Sequence, residues 1–328
     1  IERSGKLMPQ FFERHAFDPH AAIMGLRLIL WGMCKKVVVA DNLATVVDRI
    51  YQMPDAYSGP ALALGTACFA FQIYCDFAGY SDIALGTAQI MGFRLMRNFD
   101  RPYRSRSIGE FWQRWHISLS TWFRDYVYIP LGGNRVAIPR LYLNIMIVFG
   151  ISGLWHGANW TFLIWGLLHG SYYVIGSLTA RPRAALVRLI QLDKAPRVHA
   201  VLQAVVVFVI VNFAWIFFRA PNVQTAWTVI SRLPIGWDVV FHVGWNELAY
   251  AMSMLTLAPL GDGVKYGLVL SAYILLVLAY DTLSRHDDWS VAIHKYPTPI
   301  RWAAYAVITI AILNLGVTKV VPFQYFQF

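Results

Sequence analysis

The sequence predicts an all-α fold: a polytopic bundle of transmembrane helices with broken or re-entrant helices and one amphipathic helix at the membrane interface. Of the 328 residues, 57% are hydrophobic and only 14% are charged, whereas a soluble domain carries about 25% charged residues. Thirteen tryptophans and seventeen tyrosines suit the lipid–water boundary, where such rings are enriched. Apolar runs long enough to cross a bilayer, which takes about 17–25 residues, recur along the chain.

These runs define the candidate membrane-spanning segments. They lie near residues 21–40, 60–92, 141–178, 200–218, 248–260, 266–281 and 300–317. The runs 60–92 and 141–178 are too long for one span each. Basic loops flank 141–178 on both sides, and an equal charge bias at both ends predicts an even number of crossings. We therefore expect two passes in this run, with the break near residues 155–159.

Basic residues cluster in two short segments between apolar runs. They are Arg94, Arg97, Arg101, Arg104 and Arg106 in the first segment, and Arg181, Arg183, Arg188, Lys194 and Arg197 in the second. Loops that retain arginine and lysine stay in the cytoplasm during membrane insertion, so both segments are predicted to be cytoplasmic. A phosphate-binding role stays open, although topology alone explains the clusters. Despite the net charge of +10, we expect no nucleic-acid partner.

The segment after the first basic cluster predicts the amphipathic helix. Ser107 and Glu110 have the spacing of a capping box, in which each side chain satisfies a backbone donor at a helix start. Apolar residues then recur at helical spacing from Ile108 to Tyr126. We expect this helix to end before Pro130 and a turn at Gly132-Gly133. His116 falls on the edge of its apolar stripe.

Ionisable side chains within apolar runs are the candidate functional residues, because they are costly in a membrane and mark functional sites there. His116 and His156 stand in polar-aromatic settings; for each, a structural histidine bonded to a carbonyl is an equal alternative. His169, late in a smooth apolar helix, is better explained as structural. Asp76 and Asp82 either line a polar tunnel or bond helix termini and basic loops, and both interpretations stay open.

Other chemistry finds no support in the sequence. There is no G-x-S-x-G elbow of a serine hydrolase and no H-E-x-x-H zinc motif. The three cysteines, Cys34, Cys68 and Cys75, lie in apolar runs without metal-ligand spacing. We expect no metal site and no bound cofactor.

Two long stretches, RWHISLSTWFRDYVYIPLGG and GLWHGANWTFLIWGLLHG, resemble the signature blocks of the membrane-bound O-acyltransferase (MBOAT) family. Further similar stretches are KKVVVADN, FQIYCDFAGYSDIALG, NFDRPYRSRSIGEFW, WIFFRA and the terminal PFQYFQF. The resemblance is to the bacterial branch that contains the alginate O-acetylation proteins, and it covers residues 1 to about 220 and the final residues. Family members have additional N-terminal membrane helices. Residues 1–328 are therefore expected to form a single MBOAT-type membrane domain that lacks the N-terminal helices of a longer protein.

The resemblance implies an O-acyltransferase in which His156 is catalytic and His116 assists. O-acetylation needs a base that takes the hydroxyl proton as oxygen attacks a thioester carbonyl, and a buried imidazole suits this because burial favours its neutral form. The tetrahedral oxyanion then needs a donor, for which His116, Asn159 and a backbone N–H are candidates. Asp76, Asp82 and Asn159 are candidates for lining the substrate channel.

The resemblance also implies a setting: a multi-pass protein of the bacterial inner membrane. It would take acetyl groups from a cytoplasmic donor, acetyl-CoA, and pass them across the membrane. The acceptor would be an exopolysaccharide such as alginate or another envelope glycan, with a periplasmic acetyltransferase as partner. The polar residues alone fit a channel or flippase for an envelope precursor nearly as well, but the ordered signature blocks favour the transferase.

Overall fold

A computed structural model describes residues 1–237 and 289–317. Within these ranges the chain is helical and contains no strand, which confirms the all-α prediction. Four helices of the described ranges are long and apolar enough to cross a membrane: Gly59–Ile90, Ile138–Trp155, Pro196–Arg219 and Thr298–Leu315. The spans predicted near 248–260 and 266–281, and the terminal PFQYFQF stretch, lie outside the described residues.

The α-helices of the described ranges are numbered in chain order. They are α1 (Ser4–Leu7), α2 (Pro19–Met33), α3 (Asp41–Gln52), α4 (Gly59–Ile90), α5 (Ile108–Arg114), α6 (Ile117–Phe123), α7 (Ile138–Trp155), α8 (Trp160–Leu178), α9 (Ala180–Leu189), α10 (Pro196–Arg219), α11 (Val223–Arg232), α12 (Trp289–Ala292) and α13 (Thr298–Leu315). Two π-helical segments, Cys34–Ala40 and Arg124–Tyr128, follow α2 and α6 without a break.

The chain divides into two compact units. The central unit comprises residues 97–227 together with Ile1, and it contains α5 to α10. The flanking unit comprises residues 2–96 and the residues from 228 onwards, and its described part contains α1 to α4, α12 and α13.

In the flanking unit, α4 is one unbroken helix of 32 residues, so the prediction that residues 60–92 form more than one span is wrong. At a rise of 1.5 Å per residue it is about 48 Å long, well beyond a hydrocarbon core of about 30 Å. Its glycines do not interrupt it because they serve packing. A Cβ atom on Gly79 would lie 2.7 Å from the carbonyl oxygen of Gly32 in α2, so α2 approaches α4 backbone to backbone.

In the central unit, the predicted break within residues 141–178 is confirmed. α7 ends at Trp155, α8 begins at Trp160, and residues 156–159 form the connection. The two helices pack closely because small residues face each other. A Cβ atom on Gly153 would collide with the carbonyl oxygen of Phe162, and one on Gly166 with that of Phe149. Small residues allow the same close approach between other membrane helices.

The predicted amphipathic helix begins as expected but does not continue as expected. The Ser107 side chain caps α5 by accepting a hydrogen bond from the Glu110 backbone N–H at 3.1 Å. α5 ends at Arg114, and a second helix, α6, starts at Ile117. The prediction of one continuous helix to Tyr126 is therefore wrong. The turn at Gly132-Gly133 is confirmed, with φ of 103° and 57° at the two glycines.

Candidate active site

His116 lies at the break between α5 and α6 with a left-handed backbone, φ 42° and ψ 56°. For an L-residue with a large side chain this conformation costs about 1–2 kcal/mol. Such outliers persist only where the surrounding structure determines them, and they cluster at active sites. The side chain is buried, with 3% of its residue surface exposed. The break therefore holds one imidazole in a fixed, strained position inside the central unit.

Backbone bonds from the preceding segment hold this break in place. The Ile117 N–H donates to the Asn98 carbonyl oxygen at 2.9 Å, and the Asp100 N–H donates to the Arg114 carbonyl oxygen at 3.0 Å. The Asn98 side-chain oxygen accepts from the Ser118 hydroxyl at 2.6 Å. Residues 98–100 thus bind backbone N–H and C=O groups that a continuous helix would have satisfied internally. This explains why the local sequence pattern predicted a continuous helix and not a break at His116.

His156 lies at the second break, as the residue after α7. It is 6% exposed and has aromatic neighbours on several sides. The rings of Trp165 and Phe218 meet it edge to face, each with centroids 5.1 Å from its own. The next residue, Gly157, has φ of 154°, and a Cβ atom there would lie 2.7 Å from the Phe162 ring. Glycine is therefore required beside this histidine.

The structure brings His116 and His156 together. Trp155 is the shared neighbour: its ring centroid is 5.0 Å from that of His156 and 6.2 Å from that of His116. His116 lies outside the four candidate membrane-spanning helices, and its pKa is lowered well below its ordinary value, first by burial and then by the nearby His156. At neutral pH His116 is uncharged, so one ring nitrogen can donate a hydrogen bond and the other can accept one.

His169 belongs to the same aromatic cluster. It is fully buried, and its Nδ1 accepts a hydrogen bond from the Trp112 indole N–H at 3.3 Å. Its Nε2 has no hydrogen-bond partner among the described residues. The Trp165 ring lies edge to face with both His169 and His156, at 5.1 Å from each. His169 therefore packs behind the wall that faces His156.

Asn159 has a clear structural task in this arrangement. Its side-chain oxygen caps α8 by accepting from the Thr161 backbone N–H at 3.1 Å, and its amide NH₂ donates to the Pro221 carbonyl oxygen at 3.0 Å. Both polar ends of the side chain are thereby engaged. The amide has a second N–H besides the one that bonds Pro221, so the candidate role as an oxyanion donor does not require either bond to be exchanged.

The two aspartates lie in the flanking unit, where each faces a lysine. Lys36 Nζ lies 2.7 Å from a carboxylate oxygen of Asp76 and 2.8 Å from one of Asp41, and Lys35 pairs with Asp82 at 2.5 Å. Lysines at two consecutive positions of an apolar run, with aspartates in the next run, were the available signal for this pairing. Both aspartates form ion pairs with lysines of the π-helical segment that follows α2. Neither of the two interpretations named this pairing, and the tunnel role stays a prediction.

Sequence reasoning did not identify the aromatic walls of the site. Trp165 is 1% exposed and Phe218 4% exposed, and they come from α8 and α10. Tryptophan and phenylalanine are abundant throughout this chain, so their type alone carried no signal. Their importance follows from the position of His156 between them.

The fold and the site together are those of an all-α membrane protein with two buried histidines held together at helix breaks. Within that class, the chain belongs to MBOAT, the membrane-bound O-acyltransferase family, which matches residues 6–220. This confirms the resemblance of the signature blocks, both of which lie inside the matched region.

Named relatives agree with this assignment. The chain is 40% identical over 277 residues to a "Probable alginate O-acetylase AlgI" of Pseudomonas aeruginosa, covering 84% of this chain and 48% of that protein. A protein of the same description from Pseudomonas putida is 35% identical over 344 aligned positions, covering 100% and 65%. A "Peptidoglycan O-acetyltransferase" of Helicobacter pylori is 38% identical over 235 residues, covering 71% and 43%. The chain thus spans about half the length of most of these relatives.

Proposed function

We propose that this chain carries the acyl-transfer site of a membrane O-acetyltransferase. The single observation that supports it most is the pairing of two buried histidines, His116 and His156, at two separate helix breaks around Trp155. Burial of two imidazoles costs free energy, and apolar side chains could fill the same space without that cost, so the burial indicates a function. Relatives described as an alginate O-acetylase and a peptidoglycan O-acetyltransferase point to acetyl as the transferred group.

The chemistry assigns a role to each histidine. Neutral His156 takes the proton of the acceptor hydroxyl as its oxygen forms a bond to the acetyl carbonyl carbon. The carbon–sulfur bond of the donor thioester breaks, and the proton on His156 passes to the departing thiolate. His116 is placed to donate a hydrogen bond to the developing oxyanion. Asn159 is a second donor candidate through the amide N–H that does not bond Pro221.

The substrates follow as part of the same proposal. The donor is acetyl-CoA, supplied from the cytoplasm, and the acceptor is an exopolysaccharide such as alginate or another envelope glycan. The protein is placed in the bacterial inner membrane, and a periplasmic acetyltransferase receives or completes the transfer. The descriptions of the relatives as acetylases of alginate and of peptidoglycan support the acceptor class. The two basic segments support a cytoplasmic donor side.

Covalent transfer is the test of this function. Membranes that contain the protein are incubated with acetyl-CoA labelled in the acetyl group, and glycan and protein fractions are then assayed for bound label. We expect label in covalent linkage on glycan or on a partner protein, and none with membranes that lack the protein. Movement of an envelope precursor across the membrane without any bound acetyl label would instead support a channel or flippase and would contradict the proposal.

A further inference from the structure

A cavity of about 850 Å³ lies in the central unit, away from the two histidines. Its walls come from α8, α9 and α10 and from the start of α5, and neither His116 nor His156 lines it. Ligand pockets for small molecules typically measure about 300–1,000 Å³. The cavity is therefore large enough for a ligand that the transfer site does not account for.

The walls of this cavity are apolar and open outwards. Tyr173 on α8 and Leu202 and Val206 on α10 line it with 41%, 48% and 59% of their surfaces exposed. α10 is one of the helices apolar enough to cross a membrane, so its exposed apolar side chains face acyl chains in a bilayer. The cavity is thus continuous with a surface that lipid covers.

The rim of the cavity is basic. Arg106, Arg183 and Arg188 line it and are exposed, and none of the lining residues in the described ranges is an aspartate or a glutamate. Arg183 Nη2 donates to the Gly176 carbonyl oxygen at 2.6 Å, and Arg188 Nε donates to the Ala184 carbonyl oxygen at 3.3 Å. A guanidinium has five N–H donors, so these bonds orient the two side chains and leave donors for a phosphate.

Arg106 belongs to the first basic segment of the sequence, and Arg183 and Arg188 belong to the second. Both segments border one cavity, which agrees with the prediction that both face the same side of the membrane. The cytoplasmic leaflet has a negative surface potential from anionic lipids, and basic pockets between membrane helices on that side suit their headgroups.

We propose that this cavity binds an anionic phospholipid. The phosphate lies between the arginines of the rim, and an acyl chain lies along the apolar wall of α8 and α10. A soluble phosphate ligand such as a nucleotide fits less well, because most of the exposed wall surface is apolar and would not match a sugar or a base. The lipid site does not depend on acetyl transfer, so it can fail or succeed independently of the proposed function.

The headgroup contacts are tested by counting bound lipids. The purified protein is mixed in detergent with equal amounts of dioleoylphosphatidylglycerol and dioleoylphosphatidylcholine, and retained lipid is counted by native mass spectrometry. We expect one phosphatidylglycerol to be retained in preference to phosphatidylcholine. Each arginine near an anionic headgroup contributes roughly fivefold in affinity, so the double variant Arg106→Gln/Arg188→Gln should lose roughly 25-fold. Arg181→Gln is the matched control, because Arg181 is exposed in the same segment but does not line the cavity.

The acyl-chain contact is tested by filling the cavity. Gly176 lines it, and a Cβ atom there would meet nothing within 4 Å, so the side chain that Gly176→Phe adds starts in open space. We expect this variant to unfold at the same temperature as the wild type and to lose the retained phosphatidylglycerol. Equal retention of the two lipids, equal losses in the arginine variant and in Arg181→Gln, or full retention by Gly176→Phe would overturn the proposal. So would displacement of the lipid by glycerol 3-phosphate or coenzyme A, since a soluble phosphate would then be the ligand.

Discussion

At the scale of single residues, His116 decides the shape of the site. Its left-handed backbone separates α5 from α6 and turns a residue from the edge of an apolar stripe into a buried imidazole beside Trp155. The bonds from residues 98–100 hold that conformation against its intrinsic cost. Two properties of this position matter separately: the left-handed backbone and the burial of a neutral ring. Different substitutions test each of them.

The backbone demand is tested by two smaller side chains of different backbone preference. Asparagine adopts the left-handed region more readily than most residues other than glycine, and a β-branched side chain there is a true outlier. We expect His116→Asn to fold nearly as well as the wild type and His116→Val to lose about 1–2 kcal/mol more, measured by thermal or denaturant unfolding in detergent. Equal losses in the two variants would show that the backbone at residue 116 is not strained.

The side-chain demand predicts a dependence on pH. Because burial lowers the pKa of His116 in the folded protein below 6.5, the unfolded chain binds the proton first as the pH falls. Stability from the neutral ring is therefore complete above about pH 6.5 and is lost as the pH falls below it. We expect the difference in unfolding free energy between pH 7.5 and pH 5.5 to be smaller in His116→Asn than in the wild type. An unchanged difference would show that this ring does not resist protonation.

At the scale of elements, the contact of α2 and the following π-helical segment with α4 combines close backbone packing with buried charge. Gly32 and Gly79 allow the approach, and Lys36 lies between the carboxylates of Asp41 and Asp76. A buried ion pair adds little net stability when complete, but removal of one partner leaves an uncompensated charge. The pairing therefore fixes how these segments fit together more than it strengthens them.

Removal of Lys36 tests this arrangement. Lys36→Met leaves Asp41 and Asp76 buried without their cation, and we expect a loss of about 3–5 kcal/mol in unfolding free energy. The triple variant Lys36→Met/Asp41→Asn/Asp76→Asn should recover a large part of that loss because no net charge remains. Lys6→Met, at an exposed position, is the control. If the triple variant were less stable than Lys36→Met, the carboxylates would have a role independent of the lysine.

Elements also show which sequence signals were reliable. The length of the run 141–178 and the charge bias around it predicted a break near residues 155–159, and the break lies between Trp155 and Trp160. The capping signal at Ser107 predicted the start of α5, since a cap depends on neighbours three residues away. The break at His116 depends on Asn98 and Asp100, partners that no local pattern reveals, and tertiary bonds overrode helix propensity there.

At the scale of the whole molecule, composition was sufficient for the fold class and motif resemblance for the family. The prediction that residues 60–92 form more than one span is wrong because bilayer thickness does not limit the length of a helix. Nothing in the sequence of α4 ends the helix earlier. The walls of the site, Trp165 and Phe218, could not be recognised without the fold, because the packing of α8 and α10 brings both rings against His156. The candidate histidines could be identified from the sequence because an imidazole in an apolar run carries a free-energy cost in a membrane and therefore marks a functional site.

The topology of the molecule is tested by accessible cysteines. Both basic segments are predicted to be cytoplasmic. Arg104 and Asp193 are exposed positions within them and are accessible to a reagent. The neighbouring Ser105 is fully buried and is therefore unsuitable for labelling. Arg104→Cys and Asp193→Cys should react with a membrane-impermeant thiol reagent only after the cells are permeabilised. The natural cysteines Cys34, Cys68 and Cys75 are buried, so background labelling is low. Labelling of either position in intact cells would contradict the two-pass arrangement of α7 and α8.

The central claim is that His156 is the base for acetyl transfer, and His156→Gln tests it most directly. Glutamine preserves size and hydrogen bonding but accepts no proton at neutral pH. With protein amounts in the membrane matched, and with His20→Gln at an exposed position as control, the transfer of labelled acetyl groups should fall by about 10²–10⁴-fold. Transfer by His156→Gln at a level close to that of His20→Gln would contradict the account, because His156 would then be structural.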